Sequence, residues 1–287
     1  MKKQNQLEKK LWDVEITPNV KLFDLNLNLL WKYRDLLFLM VRRDFVAFYK
    51  QTIIGPVWFF IQPIFITITY VFVFGKLASI GTDGIPPTLF YLTGIACWSY
   101  ISDTIIKTST ALKDNSNVFS KVYFPRLILP LSIVFSNFVK LGIHFILLFI
   151  VFLFYRYTNY KTNISLRILN IPFLIIAMSL ISLGIGLIVS AITTKYRDLA
   201  LLISFGLQLT MYATPIIYPF SSLNGKMKIL VSLNPYTFII EGIRNSLFNT
   251  GNFHNIYFLY IMIYTCIILL CGVIIFNKVE KNFVDTI

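Results

Sequence analysis

The sequence predicts an all-α integral membrane protein with six transmembrane helices, an amphipathic interface helix near the N-terminus and a re-entrant helical hairpin before the last span. Three observations support this fold class. Hydrophobic residues make up 56% of the 287 residues and charged residues only 14%, whereas a soluble domain carries roughly 25% charged residues. The apolar residues form long uncharged runs, and about 20 such residues cross a bilayer as a helix. Lys and Arg are concentrated in alternate connections between those runs.

The first 52 residues are expected to form a cytoplasmic segment. They open with MKKQNQLEKKLWDVEITPNVKLFDLN, which stays polar for too long to be a removable signal peptide. An amphipathic surface helix is predicted over about 30–50, with Leu30, Leu37, Val41, Phe45 and Phe48 at helical spacing and Lys32, Arg34, Asp35, Arg42, Arg43 and Asp44 on its flank. This helix is either a simple surface anchor or a docking element. Gly55 and Pro56 are expected to turn the chain into the bilayer.

Six apolar runs bounded by charged or polar residues are the expected spans. They cover residues 53–75, 86–106, 127–155, 168–193, 199–218 and 255–277, and with their connections they form a transmembrane domain over 53–277. Lys140 and His144 interrupt the third run. We expect Lys140 to face a dimer or helix interface, where it can pair with an acidic neighbour, because a charge inside the membrane needs a partner. Residues 278–287 are expected to form a cytoplasmic tail.

The connection between the second and third spans combines charged, turn-forming and apolar residues. Its start is rich in Asn and Ser, and Pro125 delays the return to helix. The apolar side chains of Val118, Phe119, Val122 and Tyr123 are surrounded by Lys113, Lys121 and Arg126. Exposed apolar groups ringed by charge favour a protein contact. An amphipathic connector that rests on lipid is the alternative.

Residues 219–250 do not read as a complete span. The segment follows Pro215, is cut near its start by the pair Asn234-Pro235, and contains Glu241 and Arg244. A charge at the bilayer centre costs at least about 2.5 kcal/mol, so the segment is predicted to dip into the membrane and return. Glu241 and Arg244 are three residues apart and share a helix face. They form either a salt bridge that locks the hairpin or a contact with the transported molecule.

The distribution of Lys and Arg orients the chain. If both termini are cytoplasmic and there are six spans, most of the basic residues lie in the inside segments, as the positive-inside rule requires. A seventh crossing would place Lys278 and Lys281 outside. The net charge of +13 is therefore explained by loops beside anionic lipid, and no nucleic-acid partner is expected.

Groups that could perform catalysis or hold a cofactor are sparse. The Gly-Lys pairs at 75–76 and 225–226 lack the upstream glycine of a phosphate-binding P-loop, and the three cysteines lack metal-ligand spacing. No cofactor or metal is expected in this chain, and any ATP hydrolysis must come from another. A membrane-embedded glycosyltransferase or acyltransferase would need an acidic or histidine pair at a membrane surface, and only lone carboxylates such as Asp103 and Asp198 are available.

Five stretches resemble a known family. They are IGPVWFFIQPIF, KVYFPRLILPLS, TTKYRDL, TPIIYPFSSL and LNPYTFIIEGIRNSLF, which occur in this order between about Leu25 and the C-terminus. Together they resemble the type 2 ABC exporter permeases, and most of all the branch that exports polysaccharides such as O-antigen, capsule or teichoic acid. Export of a drug or a small lipid by a related permease is the alternative.

The resemblance implies a bacterial inner-membrane permease that translocates a lipid-linked polysaccharide. Such permeases form homodimers and bind two copies of a separate ATP-binding subunit, which carries ATP and Mg. The implied contacts with that subunit are Arg42, Arg43, Asp44, Asn115, Val118, Phe119, Lys121, Tyr123, Arg126, Lys195, Arg197 and Asp198. Sugars pack their C–H faces on aromatic rings, and the candidates for the substrate path are Trp58, Phe59, Phe65, Tyr70, Met211, Tyr212 and Tyr218. The alternative for each of these seven is a position that faces lipid or packs against another helix.

Overall fold

The computed structural model describes residues 27–50, 55–115, 124–158, 166–194, 196, 198–250 and 253–283. Within these ranges the chain is helical and contains no β-strand. Five helices are long and apolar enough to cross a membrane: Trp58–Leu77, Pro87–Asp114, Ile128–Tyr157, Leu166–Thr193 and Ile256–Val279. The all-helical, multi-span class predicted from composition is thereby confirmed.

Two N-terminal helices precede the bundle. Helix α1 covers Leu27–Lys32 and α2 covers Arg34–Lys50. Met40 of α2 is buried in a cluster with Phe124, Ile128 and Leu129 at the start of the third long helix. The apolar side of α2 therefore packs on protein, which is how these residues acquire a fixed position relative to the bundle.

The long helices follow in the order that the apolar runs predict. A 3-10 turn over Gly55–Val57, in which Gly55 has a φ of +59° that favours glycine, leads into α3, Trp58–Tyr70, which continues as a π-helix over Val71–Leu77. Helices α4, Pro87–Asp114, and α5, Ile128–Tyr157, come next. A 3-10 turn over Leu166–Asn170 begins α6, Ile171–Thr193. The last helix, α10, covers Ile256–Phe283.

Helix α4 is longer than the predicted span over 86–106. It continues to Asp114, because the charged residues within it do not end the helix. Asp103 accepts a hydrogen bond of 2.6 Å from Lys140 of α5, and Lys107 donates one of 3.4 Å to Asn137. A charged residue that pairs with a residue of a neighbouring helix can stay inside the membrane. Such a residue therefore does not mark the end of a span.

The predicted span over 199–218 is helical only in its first part. Helix α7 covers Leu199–Tyr212, which is about 21 Å and shorter than the roughly 30 Å hydrocarbon core. Residues 213–219 then form turns around Pro215, because proline cannot continue the hydrogen-bonding pattern of a helix. The prediction of one continuous helix at this position was wrong in length.

Two short helices occupy the predicted re-entrant region. A 3-10 turn over Phe220–Ser222 precedes α8, Gly225–Ser232, and α9 covers Pro235–Phe248. Asn234 caps α9, since its side-chain oxygen accepts a hydrogen bond of 3.0 Å from the amide of Tyr236. The break predicted at Asn234-Pro235 is therefore a helix start.

Small residues bring the central helices together. A Cβ added to Gly272 of α10 would lie 2.5 Å from the carbonyl oxygen of Gly184 in α6, and one added to Gly186 would lie 2.7 Å from Thr108 of α4. Helices in membranes associate largely through such close backbone packing. The connection over residues 78–86 lies at the far end of the bundle, opposite α2, because α4 returns from it to meet α2 at Asn115.

Candidate functional site

The end of the bundle nearest α2 holds a polar network that joins three helices. Arg43 contacts the neighbouring Asp44 carboxylate at 2.9 Å, and its Nη1 donates a hydrogen bond of 3.2 Å to Asn115 at the end of α4. Ser136 of α5 donates to the other Asp44 oxygen at 3.4 Å. Helix α2 is therefore joined to α4 and α5 by side-chain hydrogen bonds as well as by its apolar contacts.

The remaining predicted coupling residues are distributed around this end. Arg42 is exposed, Arg126 lies just before α5, and Asp198 lies just before α7. Val118, Phe119, Lys121, Tyr123, Lys195 and Arg197 lie outside the described residues. The predicted coupling residues that the structure describes thus lie on α2, at the end of α4 and just before α5 and α7.

A groove of about 890 Å³ runs beside α7 and is bordered by α8, α9 and α10. Four tyrosines line it, namely Tyr212, Tyr218, Tyr236 and Tyr264. The Tyr218 hydroxyl donates to the Tyr212 carbonyl oxygen at 3.1 Å, and the Tyr236 hydroxyl lies 3.0 Å from that of Ser182. Tyrosines supply both an apolar ring and a polar group, and most of the other residues that line the groove are aliphatic.

The seven predicted substrate-path residues occupy different environments. Tyr70 of α3 and Met211 of α7 meet, with the Tyr70 hydroxyl 3.8 Å from the Met211 sulfur, and Tyr212 and Tyr218 line the groove. Phe59 is buried, and its ring stacks on Phe45 at 6.2 Å. Its contacts are those of helix packing.

Trp58 and Phe65 lie on the exposed outer surface of α3. They are not among the residues that line the groove. Tyr236 and Tyr264 do line it and were absent from the sequence prediction. They line the groove because α9 and α10 border it together, and no local pattern in the sequence indicates that juxtaposition.

Arg244 anchors α9 to the rest of the bundle. Its side chain is 1% exposed and lies 3.2 Å from the Glu241 carboxylate. The guanidinium also donates to the carbonyl oxygens of Pro215 at 2.6 Å, Ile216 at 3.0 Å and Phe90 at 3.2 Å. One cation thus satisfies carbonyl groups in α4 and in the irregular segment after α7, where the backbone lacks helical partners.

Two neighbours complete the Arg244 site. Gly94 leaves room for the guanidinium, since a Cβ at that position would lie 2.8 Å from Nη2. The Glu241 Oε1 atom also accepts a hydrogen bond of 3.2 Å from the amide of Phe220. The Glu241–Arg244 pair therefore fixes both sides of the turn that connects α7 to α8.

The Lys140–Asp103 pair is a second charge pair within the bundle. The ammonium lies 2.6 Å from the carboxylate, and both side chains are largely shielded from solvent. The acidic neighbour expected for Lys140 is therefore present on α4. Within the described ranges no group of three or more His, Cys, Asp and Glu side chains is placed to hold a metal ion.

Five described helices that are long and apolar enough to cross a membrane, with a charge pair between two of them, define a polytopic membrane protein. The chain belongs to the ABC-2 type transporter family, whose profile matches residues 35–248. The resemblance noted in the sequence is thereby confirmed.

The chain is similar to permease proteins of O-antigen export systems. Two of them, both named RfbA and from Klebsiella pneumoniae, are 27% identical over 253 residues and 29% identical over 254 residues, and each match covers 88% of this chain and 94% of the relative. An RfbA from Myxococcus xanthus is 26% identical over 208 residues, which is 72% of this chain and 77% of that protein. The matches extend over most of each protein.

Proposed function

We propose that this chain is the membrane permease of an ATP-driven exporter that moves a lipid-linked polysaccharide across the bacterial cytoplasmic membrane. The tyrosine-lined groove carries this proposal, because its rings and hydroxyls suit a chain of sugars and it lies in a protein of the ABC-2 type family. Similarity to permeases named for O-antigen export supports the same substrate class.

Six crossings with both termini in the cytoplasm fit the observed helices. Five helices are long enough to span the membrane, and α7 together with residues 213–219 supplies the remaining crossing. Helices α8 and α9 then form the re-entrant hairpin, and α1 and α2 form the interface element. Arg244 supports this arrangement, since it satisfies the carbonyl groups of the irregular segment inside the protein.

A homodimer would enclose the passage. Helix α7 has no buried residue, and Leu201, Phe205 and Leu209 are each more than half exposed. In a single chain, the wall of the groove that α7 forms is therefore only one helix thick. A second copy packed against α3 and α7 would close the groove toward lipid and complete a path for a hydrophilic polymer.

Energy for transport would come from two copies of a separate ATP-binding subunit, which hold ATP and Mg. Their contact with this chain is proposed at α2, at the connection after α4 and at the connection before α7. The bonds from Arg43 to Asn115 and from Ser136 to Asp44 support this assignment. They link the outer helix to α5 and to the end of α4, the helix that contributes Ile105 to the groove.

Deletion of the gene and complementation with the intact chain test the proposed function. Surface polysaccharide, stained on intact cells or on gels, is expected to disappear on deletion and to return on complementation. Unchanged surface polysaccharide in the deletion strain, together with accumulation of a drug or small lipid, would assign the chain to the alternative class of exporter.

The groove itself is tested by substituting one ring at a time. Tyr212→Ala removes a groove-lining ring and is expected to lower the amount of surface polysaccharide while the protein still reaches the membrane. Phe149→Ala is the matched control, because Phe149 is on α5, away from the proposed dimer contact, is 58% exposed and does not line the groove. Equal export by the two variants would show that the polysaccharide does not pass through the groove.

A further inference from the structure

We propose that a second cavity, at the far end of the bundle, binds one neutral sugar unit of the exported chain. This inference rests on the proposed function and adds a site to it. The cavity has a volume of about 450 Å³, which is within the usual range of about 300–1,000 Å³ for small-ligand pockets. None of the residues that line it belongs to the tyrosine-lined groove.

The cavity lies on the side of the membrane opposite α2. Asp83, from the connection between α3 and α4, forms part of its wall. The other end of α4 reaches Asn115, which is bonded to Arg43 of α2. Because α4 has 28 residues, these two ends are separated by about 42 Å, so a sugar bound here has already passed through the bilayer.

Aromatic rings form one wall of the cavity. The rings of Phe238 and Tyr257 are stacked, with centroids 4.2 Å apart and planes 15° apart. Phe253 meets Tyr257 edge-on at 5.5 Å, and Phe220 meets Phe238 edge-on at 5.6 Å. Four rings contributed by α9, α10 and the two connections beside them thus hold one another in place, and they present a rigid apolar surface.

Hydrogen-bonding groups lie beside the rings and are held by the protein. Ser221 donates to the Asp83 carboxylate at 2.7 Å. Glu241 uses Oε1 for the Phe220 amide and for Arg244, and within the described residues its Oε2 receives no hydrogen bond. The Asn245 side chain donates to the Thr250 carbonyl oxygen at 2.7 Å. Acceptors of fixed position next to a ring wall are available to a ligand.

Aromatic rings beside carboxylate acceptors favour one class of ligand. A sugar ring has an apolar C–H face that packs on aromatic rings and hydroxyls that donate to carboxylates. An acyl chain would leave the Glu241 Oε2 atom without a partner, and a bare cation would not pack on the rings. Sugar hydroxyls donate to Glu241 Oε2 and to Asp83, whereas the carboxylate of an anionic sugar would face these two acceptors, so a neutral sugar fits the cavity. Holding an emerging sugar here opposes backward sliding of the chain.

Saturation-transfer NMR on the full-length chain in lipid nanodiscs tests this site. The probes are methyl glycosides of mannose, galactose and glucose, together with their disaccharides. Saturation transfer to ring C–H protons of at least one neutral sugar is expected. Tyr257→Leu should weaken that binding by about tenfold, as expected for the loss of one stacking ring. Asp83→Asn should also weaken it, and Asn tolerates the positive φ of +52° at this position.

Phe258→Leu is the matched control. Phe258 follows Tyr257 in α10 and packs on Phe253 and Phe173, but it does not line the cavity. Equal weakening by Phe258→Leu, no transfer above that of empty nanodiscs, or stronger binding of methyl glucuronide than of the neutral glycosides would each overturn the inference. If the intact chain restores surface polysaccharide but binds no sugar, this site alone is refuted. If deletion leaves surface polysaccharide unchanged, the proposed function is refuted.

Discussion

The guanidinium carbon of Arg244 lies 3.6 Å from the centre of the Phe90 ring, and the same group donates a hydrogen bond to the Phe90 carbonyl oxygen. A cation–π contact and a charge-assisted hydrogen bond thus hold Arg244 and Phe90 together, although they are 154 positions apart in the chain. This contact joins α9 to α4, the most buried of the long helices. Residues of α9 line both the groove and the far-end cavity.

Arg244→Met is expected to destabilise the folded chain by about 3 kcal/mol, because it removes the positively charged partner of Glu241 and the donor to three carbonyl oxygens. The temperature of unfolding in detergent measures the effect. Arg34→Met is the control, since Arg34 is exposed and its contact with Asp35 is 3.8 Å long. Similar unfolding temperatures for the two variants would contradict the anchoring role of Arg244.

Gly272→Ala tests the close approach of α10 to α6. The added methyl group would lie 2.5 Å from the Gly184 carbonyl oxygen, so the helices must separate, and a loss of about 1–3 kcal/mol is expected. Gly142→Ala on α5 provides the control, because its added Cβ meets nothing within 4 Å. The yield of monodisperse protein and its unfolding temperature report the difference. The packing argument fails if Gly272→Ala is as stable as Gly142→Ala.

A double-mutant cycle tests the Lys140–Asp103 pair. Lys140→Met and Asp103→Asn each leave one charge inside the bundle without its partner, and each is expected to lower stability. The double variant should be more stable than the sum of the single losses predicts, with a coupling of about 1 kcal/mol. Denaturation of the four proteins in the same detergent gives this number. Additive losses would show that the two charges do not stabilise one another.

Arg42→Gln and Arg43→Gln test the coupling surface at α2. Each is expected to reduce surface polysaccharide without reducing the amount of chain in the membrane fraction, because neither side chain is buried. Arg43→Gln additionally loses the bond to Asn115, so its effect should be the larger. Lys32→Gln, an exposed change on α1, serves as the comparison. Normal export by both arginine variants would exclude a coupling role for this part of α2.

Local composition predicted the long helices well. The expected spans over 127–155, 168–193 and 255–277 correspond to helices over Ile128–Tyr157, Leu166–Thr193 and Ile256–Val279. A helix in a membrane satisfies its own backbone, so its existence follows from a sufficient run of apolar residues. The predictions failed where side chains from other parts of the chain intervene. The second span was predicted to end at 106, whereas α4 continues to Asp114 and Lys107 donates to Asn137 of α5, 30 residues away.

Hydrophobic length, charge distribution and short motifs are local properties, and they were enough to predict a helical membrane permease of the ABC-2 type. They also indicated that Glu241 and Arg244 share a helix face. The groups that Arg244 binds, the short length of α7 and the position of Tyr236 and Tyr264 beside Tyr212 around one groove became known from the folded chain alone. Those outcomes depend on which helices approach one another. That approach is set by small residues such as Gly184 and Gly272 and by contacts between distant parts of the chain.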